Sequence, residues 1–308
     1  MLDAHQVAVA AEEEILKLRV ARDGQFESLC SYLRVDEPSV HLLPLHFLPT
    51  DSRRTVSPAT LHDLGVAAKL EYTRNRWLDE MVDAVRPYPV PLSAHRLNDG
   101  VIASTCERYE RVLDTPAAAS FYRILANLYA RHGLSVVLDG RREGALERVM
   151  SLKEYVEHAR ARHGPMRAPL DALLLLVGTP ETTIRRARVS WQNWALGVQF
   201  YDDALDVEED FRDRNCNWAV SRTLEIFRER SHGRDRSTLP DLDAFYEVAL
   251  TEGVVCRALA LAERFFAASA RHAEHLFPTW AAFQRECLER TARLREDYEE
   301  FVAGARRV

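Results

Sequence analysis

The sequence predicts an all-α protein, and three observations carry that prediction. Apolar residues recur at helical spacing in almost every stretch, helix-opening and helix-closing signals punctuate them, and no stretch sustains the period-two alternation of a half-buried strand. At 308 residues and 47% hydrophobic content the chain can bury a large core. A formal charge of −6, from 41 basic and 47 acidic residues, leaves no basic footprint for nucleic acid. The longest apolar runs, such as residues 172–178, fall far short of the roughly 20 residues that a membrane span needs. Residues 1–20 carry Glu12, Glu13 and Glu14 and lack the basic-then-apolar order of a secretion signal. Cys30, Cys106, Cys216, Cys256 and Cys287 are scattered without a Cys-x-x-Cys pair, so neither a zinc site nor a disulfide framework is suggested. The expectation is a soluble, cytoplasmic protein.

Taken in order, residues 2–33 have the pattern of one or two amphipathic helices, and residues 35–58, rich in Pro, Ser, His and Leu without a period, read as an ordered connection. Ser57-Pro58 forms an N-cap with proline in the first turn and opens a helix to about Val85, stopped by Pro87 and Pro89. Residues 91–129 hold one or two helices broken at Asp114-Thr115-Pro116, with His132-Gly133 ending the run and Asp139-Gly140 marking another turn. Ser151-Leu152-Lys153-Glu154 is a capping box for a helix to about His163, and Gly164-Pro165 interrupts the chain before the apolar residues 170–177. Thr179-Pro180-Glu181 then begins a helix of roughly 30 residues, about 45 Å long, reaching Asp210. The polar residues 231–241 are a loop, and two further helices cover residues 242–275 and 279–303.

The long helix ends in a dense set of acids: Asp202, Asp203, Asp206, Glu208, Glu209 and Asp210. On a helix Asp202, Asp206 and Asp210 stack one turn apart, and like charges so placed repel unless a cation lies between them. Hard divalent cations take carboxylate and phosphate oxygens. A second acid pair, Asp79 and Asp83, also stands one turn apart, with Tyr72, Arg76 and Arg86 on roughly the same face. Two guanidinium groups flanking an acid pair suit a diphosphate.

Together the two segments resemble the class I isoprenoid synthase superfamily, the prenyl diphosphate synthases and class I terpene cyclases. Asp79-Glu80-Met81-Val82-Asp83 matches the first acidic motif, and Gln199-Phe200-Tyr201-Asp202-Asp203-Ala204-Leu205-Asp206 matches the second, with Val198 where Phe is usual. Asn215-Cys216-Asn217-Trp218 is similar to the Lys-x-Thr/Ser-Trp segment. Lys153-Glu154-Tyr155 with Arg162-His163-Gly164 is similar to the Glu-x-Tyr…Lys-Thr-Gly helix. The resemblance covers about residues 55–225. It implies one helical domain over residues 1–308, with residues 1–55 as N-terminal helices and connection and 56–308 as a catalytic bundle around a central apolar cavity. It also implies three Mg²⁺ ions, with Mn²⁺ as a substitute, a prenyl diphosphate substrate, and room for a homodimer.

The resemblance further implies roles. Asp79, Asp83, Asp202 and Asp206 are expected to be catalytic. Asp79 and Asp83 are expected to hold two ions and Asp202, supported by Asp206 and Asp210, the third, with Asp203 behind them. Arg76, Arg86, Arg162 and Arg212, with Lys153 and Gln199, are candidates for the diphosphate. Tyr72, Phe121, Trp194, Phe200 and Tyr201 are candidates to face a carbocation. Residues 231–241 and the run Arg293, Arg295, Tyr298 are placed to close over it.

The anchors for a second substrate, Gly-Lys-x-x-Arg before the first motif and Arg-Arg-Gly after it, are missing. The expected reaction is therefore a terpene cyclase reaction on one C15 or C20 allylic diphosphate, with diphosphate abstraction and cyclisation. The alternatives are a trans-prenyl diphosphate synthase using isopentenyl diphosphate, or a non-catalytic regulatory member of the fold. A ferritin-like metal bundle needs Glu-x-x-His, which the spacing of Glu154 to His158 does not meet. No Gly-rich phosphate loop or Gly-x-Ser-x-Gly is present.

Overall fold

Twelve α-helices and a single 3-10 turn make up the described residues, with no strand among them. The computed structural model describes residues 4–18, 29, 46–48, 56–83, 92–142, 146, 150–230 and 239–305, with residues 4, 79–83, 92–93, 115 and 136–142 by their backbone alone. In chain order the helices are α1 (Ala4–Leu16), α2 (Pro58–Asp83), α3 (Leu92–Val112), α4 (Thr115–Arg142), α5 (Leu152–Arg162) and α6 (Ala168–Leu176). They continue with α7 (Glu181–Leu205), α8 (Val207–Arg212), α9 (Trp218–Arg230), α10 (Leu242–Thr251), α11 (Val254–Ala273) and α12 (Pro278–Ala305). The chain divides into two compact units, the first comprising residues 1–136, 163–188 and 275–279 and the second residues 137–162, 189–274 and 280–308. No described helix is long and apolar enough to cross a membrane.

Local chemistry sets the helix starts. Ser57 Oγ accepts from the Thr60 amide at 3.0 Å and opens α2. At α5 the capping box closes in both directions: Glu154 N donates to Ser151 Oγ at 3.2 Å, and Ser151 N donates to Glu154 Oε2 at 3.1 Å. Asp114 and Asp241 cap α4 and α10 through the amides of Ala117 and Ala244. The Gly164-Pro165 interruption is a 3-10 turn, Pro165–Arg167, leading into α6.

In the first unit α2 is central, packed against α1, α3 and α6. Two apolar faces explain this. Val66, Leu70 and Trp77 meet Val7, Ala11 and Ile15 of α1 and Leu97 and Val101 of α3. Leu64 and Ala67 instead join Tyr109, Phe121, Leu125 and Leu173. A helix covered on both faces is buried all round, and every residue from 64 to 75 is buried, including Lys69, Glu71, Thr73, Arg74 and Asn75. These polar groups find partners. Tyr129 Oη donates to Glu71, Arg74 Nε reaches the same carboxylate at 3.4 Å, and His132 Nε2 and Asn75 Oδ1 lie 2.8 Å apart. Burial pushes the Glu71 carboxyl above its ordinary range, against the pull of Arg74 and Tyr129.

Three sequence expectations change here. Helix α4 neither ends at His132-Gly133 nor turns at Asp139-Gly140 but runs to Arg142, because His132 is locked inside by Asn75 and a helical glycine costs only about 1 kcal/mol. Residues 242–275 form two helices, since Gly253 adopts a left-handed φ of 66° between α10 and α11. The long acidic helix bends at Asp206, so that α7 stops at Leu205 and α8 begins at Val207. The bend turns Val207 and Phe211 into the core, where Phe211 stacks on Phe245 at 3.8 Å. The expectations for residues 19–28 and 30–45 fall outside the described residues, as do those for residues 231–238 and Arg86.

The second unit packs α8, α9, α10 and α11 around Val207, Leu224, Phe245 and Leu259. Gly197 lets α7 approach α11, because a Cβ there would stand 2.6 Å from the Phe266 ring.

Candidate metal and diphosphate site

The acidic segment keeps its one-turn stacking through the bend. Asp206 N donates to Asp202 O at 2.9 Å and Asp210 N to Asp206 O at 2.8 Å, so the three carboxylates remain on consecutive turns. Their environments differ. Asp206 is exposed, Asp202 and Asp210 are half-buried, and Asp203 is 2% exposed.

Asp203 is the electrostatic centre of the segment. Gln199 Nε2 donates to its Oδ1 at 3.0 Å, whereas its buried Oδ2 has no hydrogen-bond partner of normal geometry, although the Tyr155 hydroxyl interacts with the carboxylate. Burial pushes the carboxyl up to about 8; Tyr155 and Gln199 pull it down, and the charges of Asp210 and Asp202 add to the rise. Burial and Asp203 likewise raise the Tyr155 hydroxyl well above its usual range, with Arg162 opposing. A buried, under-bonded carboxylate among other acids is a place where positive charge is missing.

Asp210 is held by the loop that follows it. Asn215 Nδ2 donates to its Oδ1 at 3.3 Å, Asn217 Nδ2 donates to Oδ2, and Asn215 N donates to its carbonyl at 2.7 Å. Asn217 also caps α9, accepting from Val220 N at 2.8 Å. The tight turn puts Arg214 at a φ of 61°, the one non-glycine residue in the left-handed region among the described residues.

The expected site residues thus fall into two sets. Asp202, Asp203, Asp206, Asp210, Gln199, Tyr201, Phe200, Trp194, Lys153, Arg162 and Arg212 belong to the second unit; Tyr72, Arg76, Asp79, Asp83 and Phe121 belong to the first. Asp79 and Asp83 close the last turn of α2, and their side chains lie outside the described atoms. Tyr72 and Arg76 do not share an environment, since Tyr72 is buried and Arg76 exposed. Arg212 is exposed and paired with Glu208 at 2.9 Å, and Lys153 is exposed. Arg295 is engaged by Glu263 at 2.5 Å and Glu299 at 2.6 Å.

Three of the aromatic candidates pack against other aromatic rings. Phe200 is fully buried, stacked on Phe265 at 5.6 Å and flanked edge-on by Tyr155 and Trp218. Trp194 lies edge-on to Trp191 at 5.9 Å and Trp280 at 5.4 Å, and Phe121 lies against Tyr109 at 4.5 Å. Tyr201 is half-buried beneath the Arg290 guanidinium, 5.1 Å from its centroid.

Among the described residues no three His, Cys, Asp or Glu side chains converge tightly enough to enclose a metal ion. The donor chemistry nevertheless fits a hard cation of the Mg²⁺ kind. Such ions dehydrate reluctantly, take one or two carboxylates, and complete their shell with water and phosphate oxygens. Asp202 and Asp210 offer the negative charge they need, and a cation beside them would favour loss of the Asp203 proton. Sequence reasoning had left Asn217 and Arg290 without a role; an Asn directly before Trp218 at the start of α9 was a readable N-cap signal, whereas nothing local marked Arg290.

The fold can be compared with those of known proteins. No family model matches the sequence, and no curated protein does. Solved structures do match, among them geranylgeranyl pyrophosphate and polyprenyl synthases that share the all-α fold. A geranylgeranyl pyrophosphate synthetase from the archaeon Geoglobus acetivorans is 16% identical, with a TM-score of 0.68 over 93% of this chain and 97% of that one. A polyprenyl synthetase from Streptomyces coelicolor A3(2) is 15% identical, with a TM-score of 0.69 over 92% and 97%. A polyprenyl synthase from Caulobacter crescentus CB15, complexed with calcium and isoprenyl diphosphate, is 18% identical, with a TM-score of 0.58 over 94% and 97%. These neighbours overturn the expected terpene cyclase and turn the reading to its prenyltransferase alternative. The cyclase expectation rested on missing anchor motifs, and short motifs diverge more easily than a whole-chain architecture.

Proposed function

We propose that the chain is a divalent-cation-dependent prenyltransferase that joins an allylic prenyl diphosphate to isopentenyl diphosphate. The observation that carries this is the under-bonded Asp203 carboxylate, crowded by Asp202 and Asp210, within a segment of Gln-x-x-Asp-Asp-x-x-Asp spacing on the prenyl synthase fold. The calcium and isoprenyl diphosphate of the Caulobacter protein support a divalent cation and a prenyl diphosphate here. Asp202, Asp203, Asp206 and Asp210 would hold one cation, and Asp79 and Asp83 would hold others, with Mg²⁺ the expected ion. Once bound, the cation would neutralise the diphosphate and favour its departure.

The reaction balances simply. The allylic C1–O bond breaks with its electrons on the diphosphate, C4 of isopentenyl diphosphate bonds to C1, and a proton leaves C2. The products are a diphosphate five carbons longer, pyrophosphate and a proton. Gln199 holds Asp203 in orientation, while Asn215 and Asn217 hold Asp210. Arg76, Arg86 and Arg162 are the guanidinium groups proposed for phosphate, whereas Arg212 is paired with Glu208. Asp202→Ala and Asp79→Ala, made separately, should each lower turnover by about 100-fold or more. Full activity in both variants would overturn the assignment.

A further inference from the structure

On the exposed side of α12 one arginine rests over an aromatic ring. Arg285 is paired with Glu274 at 3.4 Å, and Arg295 is bound by Glu263 and Glu299. Arg290 makes no ion pair among the described residues; its guanidinium stands over the Tyr201 ring, 5.1 Å from the centroid. Tyr201 immediately precedes Asp202 on α7. The contact is built rather than incidental. Arg290, Leu294 and Tyr298 recur every fourth residue on one face of α12, and Leu294, Tyr298 and Tyr201 all pack against the same core cluster. Tyr201 also adds to the rise of the Tyr298 hydroxyl, as expected of neighbours.

The geometry has a chemical meaning. A guanidinium over an aromatic face is held there by the ring without using up its N–H donors, and Arg290 spends none of them on an ion pair among the described residues. Those donors match two oxygens of one phosphate, and the contact with the ring restricts the side chain before a ligand arrives. We infer that Arg290 is a diphosphate-binding residue, presented by Tyr201 to the phosphate oxygens of a ligand held at Asp202. This rests on the prenyltransferase reading and adds to it a cation carried on α12.

The test is calorimetric titration of the full chain with inorganic pyrophosphate in excess Mg²⁺, beside the KM for the allylic diphosphate. Arg290→Ala should weaken pyrophosphate binding and raise KM, each by about tenfold, with kcat changed less than KM. Arg290→Lys should recover part of the loss, and Arg285→Ala should behave as wild type. Because Arg290 is exposed, melting temperatures should stay together across the set. If wild type binds pyrophosphate and turns over while Arg290→Ala matches it within twofold, the inference fails and the prenyltransferase reading survives. If wild type neither binds pyrophosphate nor turns over, both fall.

Discussion

Replacing Asp203 by asparagine should change how stability depends on pH, and the size of the change follows from its burial. The carboxyl sits at about 8 in the folded chain against 3.8 when exposed, so the folded state holds a proton that the unfolded state has lost. A raised carboxyl is harmless below its unfolded value; as pH rises from about 4 toward 8 the folded state must either keep the proton or bury a charge, and stability falls. At about 1.4 kcal/mol per unit, the part of this loss lying between pH 5 and pH 9 is on the order of 4 kcal/mol. The side-chain amide introduced by Asp203→Asn cannot titrate, so that variant should gain on wild type by that order across the interval. Urea denaturation of both proteins at pH 5 and pH 9, in chelator, measures the difference directly. Parallel pH profiles would show that Asp203 is ionised as an ordinary surface carboxylate and that the charge argument is wrong.

Gly197→Ala should cost about 1–3 kcal/mol, because the new methyl would meet the Phe266 ring at 2.6 Å and Phe266 is itself 3% exposed; a lower melting temperature is the readout. Gln284, one turn beyond Trp280 on α12, is fully buried with neither Nε2 nor Oε1 hydrogen-bonded among the described residues. Gln284→Met should therefore be neutral or stabilise by about 1–2 kcal/mol, and a clear loss in denaturation would mean that the amide has a partner after all. Asn217→Ala removes the α9 cap and one hold on Asp210, so it should lose about 1 kcal/mol of stability. The same variant should also lower turnover, since Asp210 would no longer be fixed.

What could be read from the sequence was what local chemistry decides. Ser57-Pro58 and the Ser151…Glu154 box mark helix starts because their hydrogen bonds close within one turn, and the acids at Asp202, Asp206 and Asp210 keep their stacking because helix geometry is local. Where tertiary packing decides, sequence reasoning failed. His132 looked like a helix end until Asn75 held it inside, and the acidic helix bends because Val207 and Phe211 turn into a core that only the fold assembles. Tyr72 and Arg76 shared an expected face but not an environment, because α2 is covered on two sides. Arg290 was invisible for the same reason: nothing near it in sequence says that it rests on Tyr201. Reading missing anchors as evidence for a cyclase weighed two short absences above a fold that runs through nearly the whole chain.

Incubation of the protein with Mg²⁺, labelled isopentenyl diphosphate and each of geranyl, farnesyl and geranylgeranyl diphosphate, against the same mixtures in chelator, tests the account most directly. A prenyltransferase yields a labelled diphosphate five carbons longer than at least one of the allylic substrates, one pyrophosphate released per coupling, and neither without the cation. Pyrophosphate released from an allylic diphosphate alone, with an unlabelled hydrocarbon as the product, would contradict it, as would no turnover on any of the three.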